Sequence, residues 1–175
     1  MQPDLNNLKS KIQANRDFIT RIAVGLPGFK GYVEKMENYD ADRMVREFVA
    51  EKIFSAKKNL GLLAADLSRE SELGLLPDVD SVSNLLEGLS KKVQYAEYGA
   101  SGSFSKIKIT EEDQNRLLEF DWRLIASFDE ILTLTAGLQA SRGDALVQAL
   151  RDVKMKVLEF EKIFNERKYV IMEVI

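Results

Sequence analysis

Five side chains stand out once the packing positions are set aside: Tyr32, Asp42, Arg46, Tyr98 and Asp121. Two carboxylates, an arginine and two phenols can act together in three ways. They can hold a small molecule or a divalent cation through oxygen ligands. They can form an ion cluster that fixes helix register. With Mg²⁺ or Mn²⁺ they can assist hydrolysis of a phosphate ester. Asp121 is the most constrained, because it falls between Leu117 and Leu124 on an apolar helical stripe. A carboxylate in that position must be paired, protonated or set at a break in the packing, since burial without a partner is costly. Its expected partners are Arg46 and Arg43, with a hydroxyl from Tyr32 or Tyr98. Asp42 lies one turn before Val45 on a second stripe. The five residues are therefore expected to join the starts of two helices, and a register-fixing network accounts for them more simply than a ligand site does.

The sequence contains no histidine and no cysteine. That removes Ser-His and Cys-His nucleophile pairs, the usual zinc ligand sets, haem ligation through His or Cys, and thiol redox chemistry. The Glu-x-x-His motif of di-iron bundles goes with them. No metal and no cofactor is expected, and tight binding of Zn²⁺, Ni²⁺ or Cu²⁺ is not expected at neutral pH. A net charge of −3 with interspersed signs argues against nucleic acid, which calls for a one-sided basic stripe. No apolar run approaches the roughly 18 residues of a membrane span. The opening Met-Gln-Pro-Asp-Leu-Asn-Asn carries no readable signal peptide, and the composition reads as cytoplasmic.

Other motifs carry little chemistry. Pro27-Gly28 suits the centre of a type II turn, with Phe29 and Tyr32 as anchors, and Lys30 alone makes a weak phosphate cradle. Asp78-x-Asp80 lacks the remaining ligands of a calcium loop. Glu34 and Glu37 are the one Glu-x-x-Glu pair near the loops, too little for a carboxylate–Mg²⁺ hydrolase. Arg142-Gly143-Asp144 reads as turn chemistry.

The elements that must position these residues are helices. Segment one, 4–24, spaces Leu5, Leu8, Ile12, Ile19 and Ile22 along one face and ends at Gly25. Segment two, from about 34 or 40 to 67, places Val45, Val49, Ile53, Ala56, Leu60, Leu63 and Leu67 at steps of 4, 4, 3, 4, 3, 4. Gly61 within it can admit a close neighbour. Segment three starts near Asp78 or Asp80, follows Val79, Val82, Leu86, Leu89, Val93 and Ala96, and runs on into Tyr98. Segment four, 111 to about 138, is capped by Thr110 and carries Leu117, Leu124, Phe128, Ile131 and Leu138. Segment five, capped by Asp144, carries Leu146, Leu150, Val153, Val157, Phe160 and Phe164, and ends in the apolar stretch Tyr169–Ile175. The expected architecture is one all-α domain over 1–175, an antiparallel bundle of about five helices. Irregular loops are expected at 25–33 and 99–109, with a short extended piece at 106–109.

Two stretches resemble the signatures of a bacterial family of uncharacterised small helical proteins. One is Pro27-Gly28-Phe29-Lys30-Gly31-Tyr32 with Glu34-Lys35, Glu37 and Ala41–Ala50. The other is Tyr95-Ala96, Tyr98-Gly99, Ser101-Gly102, Phe104, Lys108-Ile109, Glu111–Asp113 and Leu117–Asp121. The chain departs from the pattern at Asn38 and Tyr39, where basic residues are usual, and at Ser105, where an acid is. The resemblance implies no assigned activity, and it implies an association with membrane-scaffold proteins.

The reading that follows is a non-enzymatic protein-interaction or scaffold module. It would engage a protein partner or a second copy through the loop face, with Phe29, Lys30, Phe104 and Lys106, or through Tyr169–Ile175. The alternatives are a small-molecule or metal-ion binding bundle using carboxylate and tyrosine ligands, and, further off, a carboxylate–Mg²⁺ hydrolase.

Overall fold

A computed structural model describes residues 39–96 and 111–174. Those residues form four helices: α1 (Tyr39–Arg69), α2 (Leu76–Gln94), α3 (Glu111–Gly137) and α4 (Gly143–Val174). Short 3-10 turns, Leu73–Leu75 and Leu138–Ala140, lead from α1 into α2 and from α3 into α4. The described chain is all-α, as expected. The first segment, 4–24, and both irregular loops lie outside the described residues, as does the extended piece at 106–109.

Each helix forms because its apolar residues recur every three or four positions and can share one buried face. All seven stripe residues of α1 are buried, as are Val79 to Val93 on α2 and Leu146 to Phe164 on α4. Near the middle of the second hairpin, Phe128 and Phe160 meet edge to face with ring centroids 4.9 Å apart. Burying each such side chain stabilises the fold by about 1.5–3 kcal/mol.

Helix directions follow from side-chain pairings. Arg46 reaches Gln94 and Lys57 pairs with Glu87, so α1 and α2 run antiparallel. Asp121 pairs with Arg167 and Glu130 with Lys156, so α3 and α4 do the same. Between hairpins the sense changes: Lys52 pairs with Asp129 and Asn59 with Thr135, which makes α1 and α3 parallel. The antiparallel arrangement therefore holds within each hairpin and not between them. α1 packs on α2 and α3, and α4 packs on the same two. Consequently α2 ends and α3 begins at diagonal corners of one bundle end.

Local chemistry moved several boundaries. α2 begins at Leu76 rather than at Asp78 or Asp80, because Pro77 fits the first helical turn, where its missing N–H goes unused. It stops at Gln94 rather than at Tyr98, where the Tyr95 N–H closes on the Lys91 carbonyl. Asp144 lies in the first turn of α4 and not at its cap; Gly143, with φ +55°, makes the reversal. No helix among the described residues is long and apolar enough to cross a membrane.

Candidate functional site

Two seams each place one charged residue where an apolar one would repeat. On α3 the steps from Leu117 to Asp121 to Leu124 are 4 and 3. On α4 the next step of 3 after Phe164 arrives at Arg167. Antiparallel packing sets these two residues side by side. Arg167 Nε donates to Asp121 Oδ1 at 2.7 Å and Nη2 donates to Oδ2 at 3.0 Å, a bidentate fork. Arg167 is 1% exposed and Asp121 0%. Guanidinium and carboxylate geometries match in such a fork, which offsets much of the desolvation cost of both ions. No described buried side-chain polar atom is left without a hydrogen bond.

Arg46 belongs to the same end of the bundle. It is 9% exposed, and its Nη1 donates at 3.1 Å to the carbonyl of Gln94, the last residue of α2. That contact satisfies one of the carbonyls a helix leaves open and puts a cation at the negative end of the helix dipole. Residue 52 sits beside 129 and residue 59 beside 135, so Asp42 lies within about one turn of the level of Asp121. Its side chain lies outside the described residues. So do Tyr32, Tyr98, Phe29, Lys30, Phe104 and Lys106.

The structure pairs Asp121 with Arg167, a residue the sequence reading had not named; the Arg43 side chain lies outside the described residues. The signal for Arg167 was present: the α4 seam continued by one more step of 3. α3 carries a second polar seam residue. Thr135 is fully buried on α3, accepting from Asn59 Nδ2 at 3.2 Å and donating to the Leu132 carbonyl at 2.9 Å.

On the outer face of the second hairpin, a shallow groove of about 480 Å³ is lined by Ala126, Asp129, Glu130, Thr133, Leu134 and Lys156. Its charges are engaged. Asp129 pairs with Lys52, and Lys156 bridges Glu130 at 3.2 Å and Glu159 at 3.1 Å. The hydrogen bonds to Glu159 and Glu130 push the Lys156 ammonium above its usual range. At the opposite end from Asp121, Arg142 Nε and Nη2 grip Glu70 at 2.7 and 2.9 Å. This hydrogen bonding holds the Glu70 carboxyl below the usual carboxylate range and raises Arg142.

No protein-family model matches the chain, and no similar curated protein or solved structure is found.

Proposed function

We propose that this chain is a non-enzymatic interaction or scaffold module, a five-helix bundle that takes its fifth helix from 4–24 and offers one end to a protein partner. The observation that carries this reading is the Asp121–Arg167 pair. Both ions are out of water and bind each other through two hydrogen bonds. A pair saturated in this way fixes the shape of a bundle layer and is poorly suited to exchanging ligands. The end it stabilises is where α1 and α3 begin and where α2 and α4 finish. The loop segments 25–33 and 99–109, with Phe29, Lys30, Phe104 and Lys106, are continuous in sequence with those termini, and so is Tyr169–Ile175. The rigid layer is then the platform and the loops are the contact face. The resemblance to the bacterial signatures makes membrane-scaffold machinery the place to seek the partner.

Photo-cross-linking in the cell of origin tests this. A photoreactive residue in place of Lys30 or Lys106 is expected to capture a discrete partner that the same residue at Arg151, on the flank of α4, does not. Equal capture at both places, or none at the loops, would overturn the reading.

A further inference from the structure

The exposed charges of α4 are sorted by side. Arg151, Lys154, Leu158, Lys162, Asn165 and Tyr169 are all exposed and follow one another at steps of 3, 4, 4, 3 and 4, one helical stripe with no acid on it. Lys154, Leu158 and Asn165 stand 7, 3 and 4 residues from Glu161, which pairs with Lys92 of α2, so this stripe borders α2. The acids Asp152, Glu159 and Glu166 recur every seven residues on another stripe. That one lies toward α3, because Glu159 shares Lys156 with Glu130.

α2 carries a matching stripe. Ser81, Asn84, Gly88, Lys91 and Tyr95 are exposed at steps of 3, 4, 3 and 4, again with no acid. Gly88 and Ser81 stand 4 and 11 residues before Lys92, on the side that borders α4. The two helices run parallel, so their stripes form one flank of the bundle. Five cations, Lys91, Lys92, Arg151, Lys154 and Lys162, share it with a single acid, Glu161, in a chain whose net charge is −3. Arg151, Lys154 and Lys162 have no acidic partner among the described residues. Apolar side chains stand in water among them: Met155 is 58% exposed and Leu158 42%, with Tyr95 and Tyr169 more exposed still. The Lys92–Glu161 pair sets Tyr95 and Tyr169 within about 8 Å of the same level, at one end of the flank.

We propose that this α2–α4 flank rests on an anionic lipid surface, with Met155, Leu158 and the two tyrosines in the headgroup layer and the five cations against the lipid anions. Cations interleaved with exposed apolar and tyrosine side chains suit the boundary between water and lipid. A partner helix needs an apolar groove, and here Lys92 and Glu161 bridge the crevice between the helices. A nucleic-acid backbone would use the cations and leave Met155 and Leu158 in water. The proposal stands apart from the protein partner at the bundle end. A bundle lying on this flank keeps the loops at that end clear, and Arg151 meets lipid instead of protein.

Co-sedimentation of the full chain with vesicles tests this. At low salt the protein is expected to pellet with phosphatidylcholine vesicles containing about a third phosphatidylserine, and not with phosphatidylcholine alone. Salt at about 0.5 M is expected to release it. Arg151→Glu with Lys162→Glu should weaken binding roughly 100-fold, and Lys58→Glu with Arg69→Glu, the same charge change on exposed residues of α1, by no more than a few-fold. Met155→Ser with Leu158→Ser should weaken it about tenfold. All three variants change exposed side chains and are expected to melt like the wild type. Binding that ignores lipid charge, an α4 reversal no more damaging than the α1 reversal, or wild-type binding by the serine variant would overturn the proposal. So would failure to bind the anionic vesicles, whether or not duplex DNA or poly-glutamate is bound in their place.

Discussion

The two ends of the bundle use the same chemical device in opposite surroundings. At the turn end Arg142 grips Glu70 through Nε and Nη2, and at the other end Arg167 grips Asp121 through the same two nitrogens. The distances are nearly the same, and the burial is not: 37% and 45% exposed for the first pair, 1% and 0% for the second. In water each ion of a pair has an alternative partner, so the exposed fork ties two turns together with little net effect on stability. Out of water neither ion can turn to solvent, so the buried fork specifies which faces of α3 and α4 may meet. Geometry alone does not distinguish a fastening from a register lock; burial does.

The largest expected effect breaks the buried fork from one side. Asp121→Ala and Arg167→Ala each take away one side of the buried fork; each is expected to cost about 3–5 kcal/mol in denaturant unfolding. Asp121→Asn keeps one acceptor and should cost about 1–3 kcal/mol. Replacing both partners together, Asp121→Leu with Arg167→Met, removes both desolvation costs. That protein is expected to fold with stability near the wild type or up to about 4 kcal/mol above it. Amide exchange on it should show looser protection at the start of α3 and the end of α4 if the pair sets register.

Backbone changes at the turn end come next. Ser71 has φ +60° and Gly143 φ +55°, a region that favours glycine. Ser71→Gly is expected to be neutral or stabilising, and Gly143→Ala destabilising by about 1–2 kcal/mol, measured by thermal melts. The smallest effect belongs to the exposed fork. The Glu70 carboxyl is held below its ordinary range by Arg142, so its contribution is present above the unfolded carboxylate range and lost as pH falls through its lower folded value. Glu70→Gln should remove that acid-side dependence, with a small stability change that shrinks further in salt. A large, salt-resistant loss would mean that the two ends are more alike than their burial implies.

The helices were legible because an amphipathic helix writes its buried face into its spacing. Every seam residue assigned to α1 from Val45 to Leu67 is in the core, and so is every one on α4 from Leu146 to Phe164. Asp121 was legible for the same reason, as a charge on an apolar stripe. Arg167 stood out in the same way on its own seam, but the pairing of the two did not, because local spacing says nothing about which stripe faces which. The parallel pairing of α1 and α3 was equally hidden: it depends on Lys52–Asp129 and Asn59–Thr135, contacts between residues more than seventy positions apart. Helix ends were misplaced where single residues decide them. Pro77 starts α2 early, and Gly143 takes the turn that Asp144 was expected to cap.

The central claim is that Asp121 and Arg167 stabilise the fold through each other, and a double-mutant cycle reads that most directly. Wild type, Asp121→Ala, Arg167→Ala and the double variant, unfolded in denaturant under one buffer, give the coupling energy between the two positions. The account predicts a favourable coupling of about 2–3 kcal/mol, with the double variant far less damaged than the sum of the singles. A coupling near zero, or an Asp121→Ala protein as stable as the wild type, would contradict it.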